Sequence, residues 1–345
     1  MDAALSDGEL SRRLAARTLE LVDIASESRH EAALAEHVAA VLRDGGAPLR
    51  DLGDTCLLAG PGAPVLLAGH LDTVPAQGNR PGRLDGERVH GLGASDMKGA
   101  LAVMIELALA GAAFDCLFFG REELPMAESA LTPLLAREPL SPELVVMMEP
   151  TDNTLHAGCL GNVNATWTFT GRAGHSARPW DGDNAIHHAA RAIAKLAELE
   201  PEEHVFGDLR YYEVVSATTI AGGVATNVIP DRADATLNYR YAPGRSPEDA
   251  EARLAELCGG AGSLEVTSNS PSGPAALENP HVLRLRERLP VAPKQAWTPV
   301  AEFGRAGLDA INFGPGEPAQ AHRRDESVRI EALLRSYREL EAFAA

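Results

Sequence analysis

"FDCLFFGREELPMAES", residues 114–129, runs an apolar segment into a glycine and then into two adjacent glutamates. Residues 114–120 are continuously apolar apart from Asp115, the pattern of a strand covered on both faces. Glu122 and Glu123 follow at once. Like charges side by side repel, so this pair is either part of a solvated loop or each carboxylate has its own partner, a metal ion for one and a proton for the other. The chain has four such acidic pairs, at 122–123, 202–203, 248–249 and 325–326. Only 122–123 follows directly on a buried strand, and open α/β sheets place their sites at the carboxyl ends of strands.

The same texture recurs on either side. "PVLLAGH" (64–70) and "ELVVMME" (143–149) are predicted as further buried strands, and "MKGALAVMIELALAG" (97–111) as an apolar helix closed by Gly111. Two helical patterns precede them, one through Leu10, Leu14, Leu21 and Ile24, the other through Leu34, Val38, Val41 and Leu42, closed by Gly45 and Gly46. Apolar strands separated by helices imply an α/β architecture with a sheet covered on both faces.

After Gly161 the pattern changes. "NVNATWTFTG", "VVSATTIAGG" and "ADATLNYRYAP" alternate, "NAIHHAARAIAKLAEL" and "PEDAEARLAELC" are amphipathic helices, and "SLEVTS" is a last short strand. The order β-α-β-β-α-β with half-exposed strands predicts a small ferredoxin-like α+β layer. "SPSGPAA" (270–276) is a linker. "DAINFGPG" (309–316) and a helix over 327–343 return to the first texture. The expected division is a discontinuous first domain, 1–161 and 277–345, with 162–276 inserted into it.

With 345 residues, 45% hydrophobic and 23% charged, the composition is that of a soluble globular protein. The net charge of -18 argues against nucleic acid and anionic membranes as partners, because both need basic patches. No run approaches the roughly 18 apolar residues of a membrane span, and the N-terminus lacks a cationic segment followed by an apolar one. Cys56, Cys116, Cys159 and Cys258 are scattered without a C-x-x-C pair, which fits reduced thiols in a cytoplasm. Any metal must therefore be held by His and carboxylates.

Such residues stand at the strand ends. His70 and Asp72 form H-L-D after the first strand, and residues two apart face the same way in an extended chain. Asp72 can then hold one imidazole nitrogen while the other faces a metal; the alternative is a polar loop. Asp96 either caps the apolar helix or bridges two metal ions. Glu149 ends the third strand before Pro150. His322, in "GEPAQAHRRDES", is either a surface histidine beside arginines or a second metal-facing imidazole. Together they offer His and carboxylate donors that suit a pair of zinc ions, with Glu122 left over as a general base.

In order along the chain, "LLAGHLDTVP", "GLGASDMKGALAVMIELA", "FFGREELP", "MMEPT", "GRAGHSARPWDGDNAIHH", "GGVATNVIP" and "AHRRDESV" resemble the motifs of the dinuclear zinc aminoacylase–carboxypeptidase superfamily. The resemblance covers almost the whole chain and is strongest to the branch that cleaves succinyl-diaminopimelate. It implies a zinc-peptidase-like three-layer α/β catalytic domain with an inserted ferredoxin-like dimerisation (lid) domain. It also implies two zinc ions, replaceable by cobalt or manganese, with His70, Asp96 and Glu149 on one and Asp96, Glu123 and His322 on the other. Asp72 would orient His70, Glu122 would be the general acid/base, and the Asp96–Met97 peptide would be cis. His175 would reach a neighbouring subunit's site in a homodimer and donate to the oxyanion. Arg178, Asn227, Arg240 and Thr298 would contact an N-acylated amino-acid substrate. The implied reaction is hydrolysis of N-succinyl-L,L-diaminopimelate, with N-acetylornithine-type deacylation, an aminoacylase or dipeptide carboxypeptidase activity, or an inactive metal-binding relative as alternatives.

One segment departs from that pattern. Where the branch usually reads W-T-D-V-A-R-F, this chain reads "WTPVAEF" (297–303), with Pro299 for an acid and Glu302 for an arginine. Glu302 is expected to repel a dicarboxylate. Arg305, about one helical turn on, is expected to supply the missing cation.

Overall fold

The computed structural model describes residues 5–344. The chain forms two compact units. The first takes the chain up to Gly158, Pro274–Ala292 and the chain from Glu302; the second takes Cys159–Gly273 and Pro293–Ala301.

In the first unit an eight-stranded sheet has the order Leu49–Gly53, Cys56–Ala59, Asp115–Phe119, Val65–His70, Leu144–Met147, Ala310–Asn312, Leu155–Ala157, Val291–Pro293. Its centre is parallel. Val65–His70 pairs in parallel with both Asp115–Phe119 and Leu144–Met147, and Ala310–Asn312 continues that direction. All residues of Val65–His70 and Leu144–Met147 are buried, which explains why their sequences run apolar rather than alternating. Helices Asp7–Asp23, Ala32–Asp44, Gly99–Leu109 and Ile330–Ala344 belong to this unit. The first opens on a capping box, Ser6 with Glu9. Gly99–Leu109 buries every residue from Gly99 to Leu107, so it carries no polar face.

Two expectations are corrected here. The apolar helix begins at Gly99, not Met97, because Asp96 and Met97 have non-helical dihedrals and the peptide between them is cis. The C-terminal segment starts as a strand, Ser327–Arg329, before the helix Ile330–Ala344. That strand pairs with Arg88–His90 in a small three-stranded sheet that local pattern did not announce.

The second unit is an antiparallel sheet of order Glu202–Phe206, Leu209–Gly222, Arg232–Tyr241, Gly161–Thr170, Ser263–Ser270. Along Gly161–Thr170 and Arg232–Tyr241 burial alternates residue by residue. Val163, Ala165, Trp167, Phe169, Leu237 and Tyr239 form one core with Ala185, Ala189 and Leu196 of helix Ala185–Ala197 and Leu254 of helix Pro247–Leu257. The ferredoxin-like order is present with an added edge strand, Glu202–Phe206, which the sequence reading did not contain. Residues 293–301 were expected in the first domain. They join the second unit instead, where Leu160 N–H donates to Ala296 O (3.1 Å) and Trp297 Nε1 to Pro271 O (3.1 Å).

Candidate metal centre

The carboxyl ends of the parallel strands bring together residues far apart in sequence. His70 is the last residue of its strand and is 1% exposed. Its Nε2 lies 3.2 Å from Asp96 Oδ1, 3.9 Å from Glu149 Oε1 and 4.0 Å from Glu122 Oε2. His322 Nε2 lies 3.1 Å from Glu123 Oε1 and 3.6 Å from Asp96 Oδ2. The two oxygens of Asp96 thus face two different imidazoles. Ligand atoms of His70, Glu122 and Glu149, and of His70, Asp96 and Glu123, fall within 4.8 Å of one another. His322 is the most open member, with its side chain 51% exposed. Imidazole nitrogen and carboxylate oxygen are the donors that divalent zinc takes, so the residues present fit a pair of such ions.

The electrostatics follow from crowding carboxylates into a buried space. Burial pushes the Glu122 carboxyl well up from its ordinary range; His70 opposes this, and Glu149, Glu123 and Asp72 add to it. Burial disfavours a charged His70, but the hydrogen bond to Asp96 and the charges of Glu122, Asp96 and Asp72 outweigh it and raise its pKa. The hydrogen bond to Glu123 lifts His322 to about 9.

Asp72 stands beside His70 in a different way from the one expected. Its main-chain oxygen is 3.0 Å from His70 Nδ1, while its carboxylate Oδ1 is 3.7 Å away. The carboxylate instead accepts the main-chain N–H groups of Glu122 (2.9 Å) and Glu123 (3.0 Å) and the Ser28 hydroxyl (2.8 Å). Buried Glu31 accepts the N–H of Arg121 at 3.0 Å and of Arg29 at 2.9 Å. The loop that carries the glutamate pair is therefore held by carboxylates from other elements.

Several residues around the cluster are not among the candidate ligands read from the sequence. Glu326 is buried and accepts the N–H groups of Gly93, Ser95 and Asp96; burial pushes it up to about 7 against those amide bonds. Gly314 and Gly316 let other backbone pass close by. An ideal Cβ at Gly314 would lie 2.4 Å from Met148 O and 2.6 Å from Glu149 O, and one at Gly316 would lie 2.1 Å from Ser95 O. In sequence Glu326 is half of the 325–326 acidic pair, inside "AHRRDESV" and four residues after His322. The other acidic pairs have ordinary roles. Glu202 and Glu203 pair with Arg253 and Arg210, Glu248 and Asp249 lie in the first turn of a helix, and Asp325 pairs with Arg323.

Glu302 corrects another expectation. It is 3% exposed and accepts the hydroxyls of Ser129 (3.1 Å) and Thr132. A glutamate held in this way braces the first unit and is not a free charge awaiting a substrate. Arg305 ends the short helix Val300–Arg305 and is exposed, its Nη1 3.8 Å from Met126 Sδ.

The remaining candidates lie in the second unit. His175 and Arg178 are exposed, and the N–H of Ser176 donates to Asn227 O at 3.0 Å, bringing the His175 loop and exposed Asn227 together. Arg240 is half-buried, donates to Asn238 Oδ1 (2.9 Å) and has its pKa lowered by burial. Thr298 is buried, its carbonyl 3.5 Å from the Cys159 thiol.

A sheet with a parallel centre, His70 and Glu149 at the carboxyl ends of its strands, and an antiparallel α+β unit inserted in the chain fit a metallopeptidase-like amide hydrolase. Residues 159–263 match the peptidase dimerisation domain of the M20 peptidases. A candidate succinyl-diaminopimelate desuccinylase of Mycobacterium tuberculosis is 39% identical over 327 residues, spanning 91% of this chain and 92% of the relative. The succinyl-diaminopimelate desuccinylase of Corynebacterium glutamicum is 32% identical, spanning 93% and 94%. Among solved structures, a tripeptidase of Staphylococcus aureus superposes with a TM-score of 0.78 at 20% identity, spanning 97% and 98%. A dinuclear metal-binding M20 peptidase of Bacillus subtilis superposes with a TM-score of 0.67 at 16% identity, spanning 98% of each chain. The chain belongs to the M20 peptidase family, in its desuccinylase-like branch, and is a hydrolase acting on an amide.

Proposed function

We propose that the protein is a zinc-dependent desuccinylase that hydrolyses N-succinyl-L,L-diaminopimelate to succinate and L,L-diaminopimelate. The observation that carries this reading is the division of Asp96, whose two oxygens face His70 and His322 separately. Asp96 would bridge two ions, with His70 and Glu149 completing one shell and Glu123 and His322 the other. When bound, the ions supply Lewis-acid charge at the scissile carbonyl and acidify water.

The chain's own residues do the rest. Glu122, poised to hold a proton, takes one from the attacking water and passes it to the departing amine. Asp72 holds the loop of Glu122 and Glu123 by accepting both main-chain amides. His175 donates to the developing oxyanion from the partner subunit of a homodimer formed by the second unit. Arg240, Arg178, Asn227 and Thr298 contact the substrate, the arginines gripping a carboxylate. Arg305 supplies the cation lost at Glu302, so Arg305→Ala is expected to raise KM for the succinyl substrate; an unchanged KM removes it from the site. The acidic balance and the buried free cysteines support a cytoplasmic setting, and no helix of the described residues is long and apolar enough to cross a membrane.

The test sets the zinc-loaded protein against N-succinyl-diaminopimelate, N-acetyl-diaminopimelate and N-acetylornithine side by side. The succinyl substrate is expected to have the highest kcat/KM. Preference for an acetyl substrate would move the protein to a deacetylase and leave the reaction class standing; an N-acetyl-L-citrulline deacetylase of Xanthomonas campestris is 30% identical over 82% of the chain.

A further inference from the structure

Glu326 sits beside the cluster without joining it. The residue is 2% exposed. One oxygen, Oε1, accepts the N–H groups of Ser95 and Asp96, each at 2.9 Å, and the other, Oε2, accepts that of Gly93 at 3.0 Å. Its main-chain oxygen also accepts the N–H of Gly91 at 3.0 Å. A single carboxylate thus gathers the amides of the turn that delivers Asp96, including the amide of Asp96 itself. Gly93 makes the turn possible with φ of 78°. Fixing the amide of Asp96 fixes its Cα, and only side-chain torsions then remain to aim the two oxygens at His70 and His322. Glu326 also follows His322 by four residues, so one short segment brings both a metal-facing imidazole and the clamp on the residue between the imidazoles.

We propose that Glu326 is a positioning residue for the metal pair, acting through the main chain of Asp96 to set the carboxylate that faces both imidazoles. This rests on the dinuclear reading above. The two oxygens of the carboxyl group serve all three N–H donors, whereas an amide would turn its own N–H groups toward one of them. Outer residues that orient metal ligands typically change metal affinity by about 10–100-fold when altered.

The experiment uses the full chain, stripped of metal and titrated with cobalt(II), read by calorimetry and by the visible cobalt absorption. The wild-type protein is expected to take two ions. Glu326→Gln is expected to bind them about 10–100-fold more weakly, with an altered cobalt spectrum, in a metal-free fold that is intact by near-ultraviolet circular dichroism. Glu326→Asp, which keeps the charge but withdraws it by one methylene, is expected to lie between, and it supplies the comparison if the glutamine variant does not fold. A variant that melts earlier but binds two ions with wild-type affinity and spectrum overturns the proposal, because Glu326 would then be a brace for the fold alone. A wild-type protein that takes up no cobalt overturns the dinuclear reading beneath it.

Discussion

Residues with the same charge serve opposite ends in this molecule, and partner geometry decides which. Glu122 and Glu123 share a loop, yet Glu123 faces His322 while Glu122 lies among His70, Glu149 and Asp72. Glu122→Gln is expected to keep its metal content and lose about 10²–10⁴ in kcat; metal analysis beside steady-state kinetics checks both, and near-normal kcat would remove Glu122 from the chemistry. Asp72 accepts two amides and a hydroxyl. In Asp72→Asn the new N–H group would face one of those donors, leaving a buried donor without an acceptor at a cost of about 1–3 kcal/mol. Urea denaturation of the metal-free variant measures this, and an unshifted midpoint would mean that the loop stands without the clamp.

At the scale of elements, close backbone approach and buried acids hold the site-bearing strands and their neighbours. Gly314 and Gly316 pass against the carbonyls of Met148, Glu149 and Ser95, which cannot swing away as a side chain could. Gly314→Ala and Gly316→Ala are each expected to cost about 1–3 kcal/mol and to weaken metal binding, since they press on the residues carrying Glu149 and Asp96. In the second unit Glu213 ties strand to strand. It accepts both Arg245 Nε and Nη2 at 2.9 Å, the Tyr239 hydroxyl at 2.6 Å and the Ala242 N–H at 2.9 Å. Burial raises its pKa, but these donors outweigh burial and the net shift is downward from 4.5. Its stabilisation is therefore full above the unfolded value and is lost as pH falls through the lower folded value. Glu213→Gln is expected to flatten the stability curve below about pH 4.5 and to cost about 3 kcal/mol at neutral pH, read from melting temperature against pH.

At the scale of the whole molecule, metal bound at this cluster would be coupled to the fold. Asp96, Glu122, Glu123 and Glu149 crowd around two imidazoles, and cations that bind only the folded form stabilise it by mass action. Chelation is expected to abolish activity and lower the melting temperature, and free zinc at about 100 times its dissociation constant should restore about 2.7 kcal/mol; an unchanged melting temperature on chelation would deny the coupling. By itself the sequence determined the α/β and α+β textures, because buried parallel strands must run apolar and half-exposed antiparallel ones must alternate. It also showed the strand-end positions of His70, Glu122, Glu123 and Glu149, because such ends are marked locally by a polar residue, Gly or Pro after an apolar run. What only the tertiary structure decided is who partners whom. Glu302 reads in sequence as a loose charge and is a hydroxyl-bonded brace. Asp72 reads as a partner for His70 and clamps two amides. Glu326 reads as half of an acidic pair and holds the turn of Asp96. Those roles depend on hydroxyls and main-chain amides brought in from distant elements, and a one-dimensional pattern carries no record of where a carboxylate finds its donors.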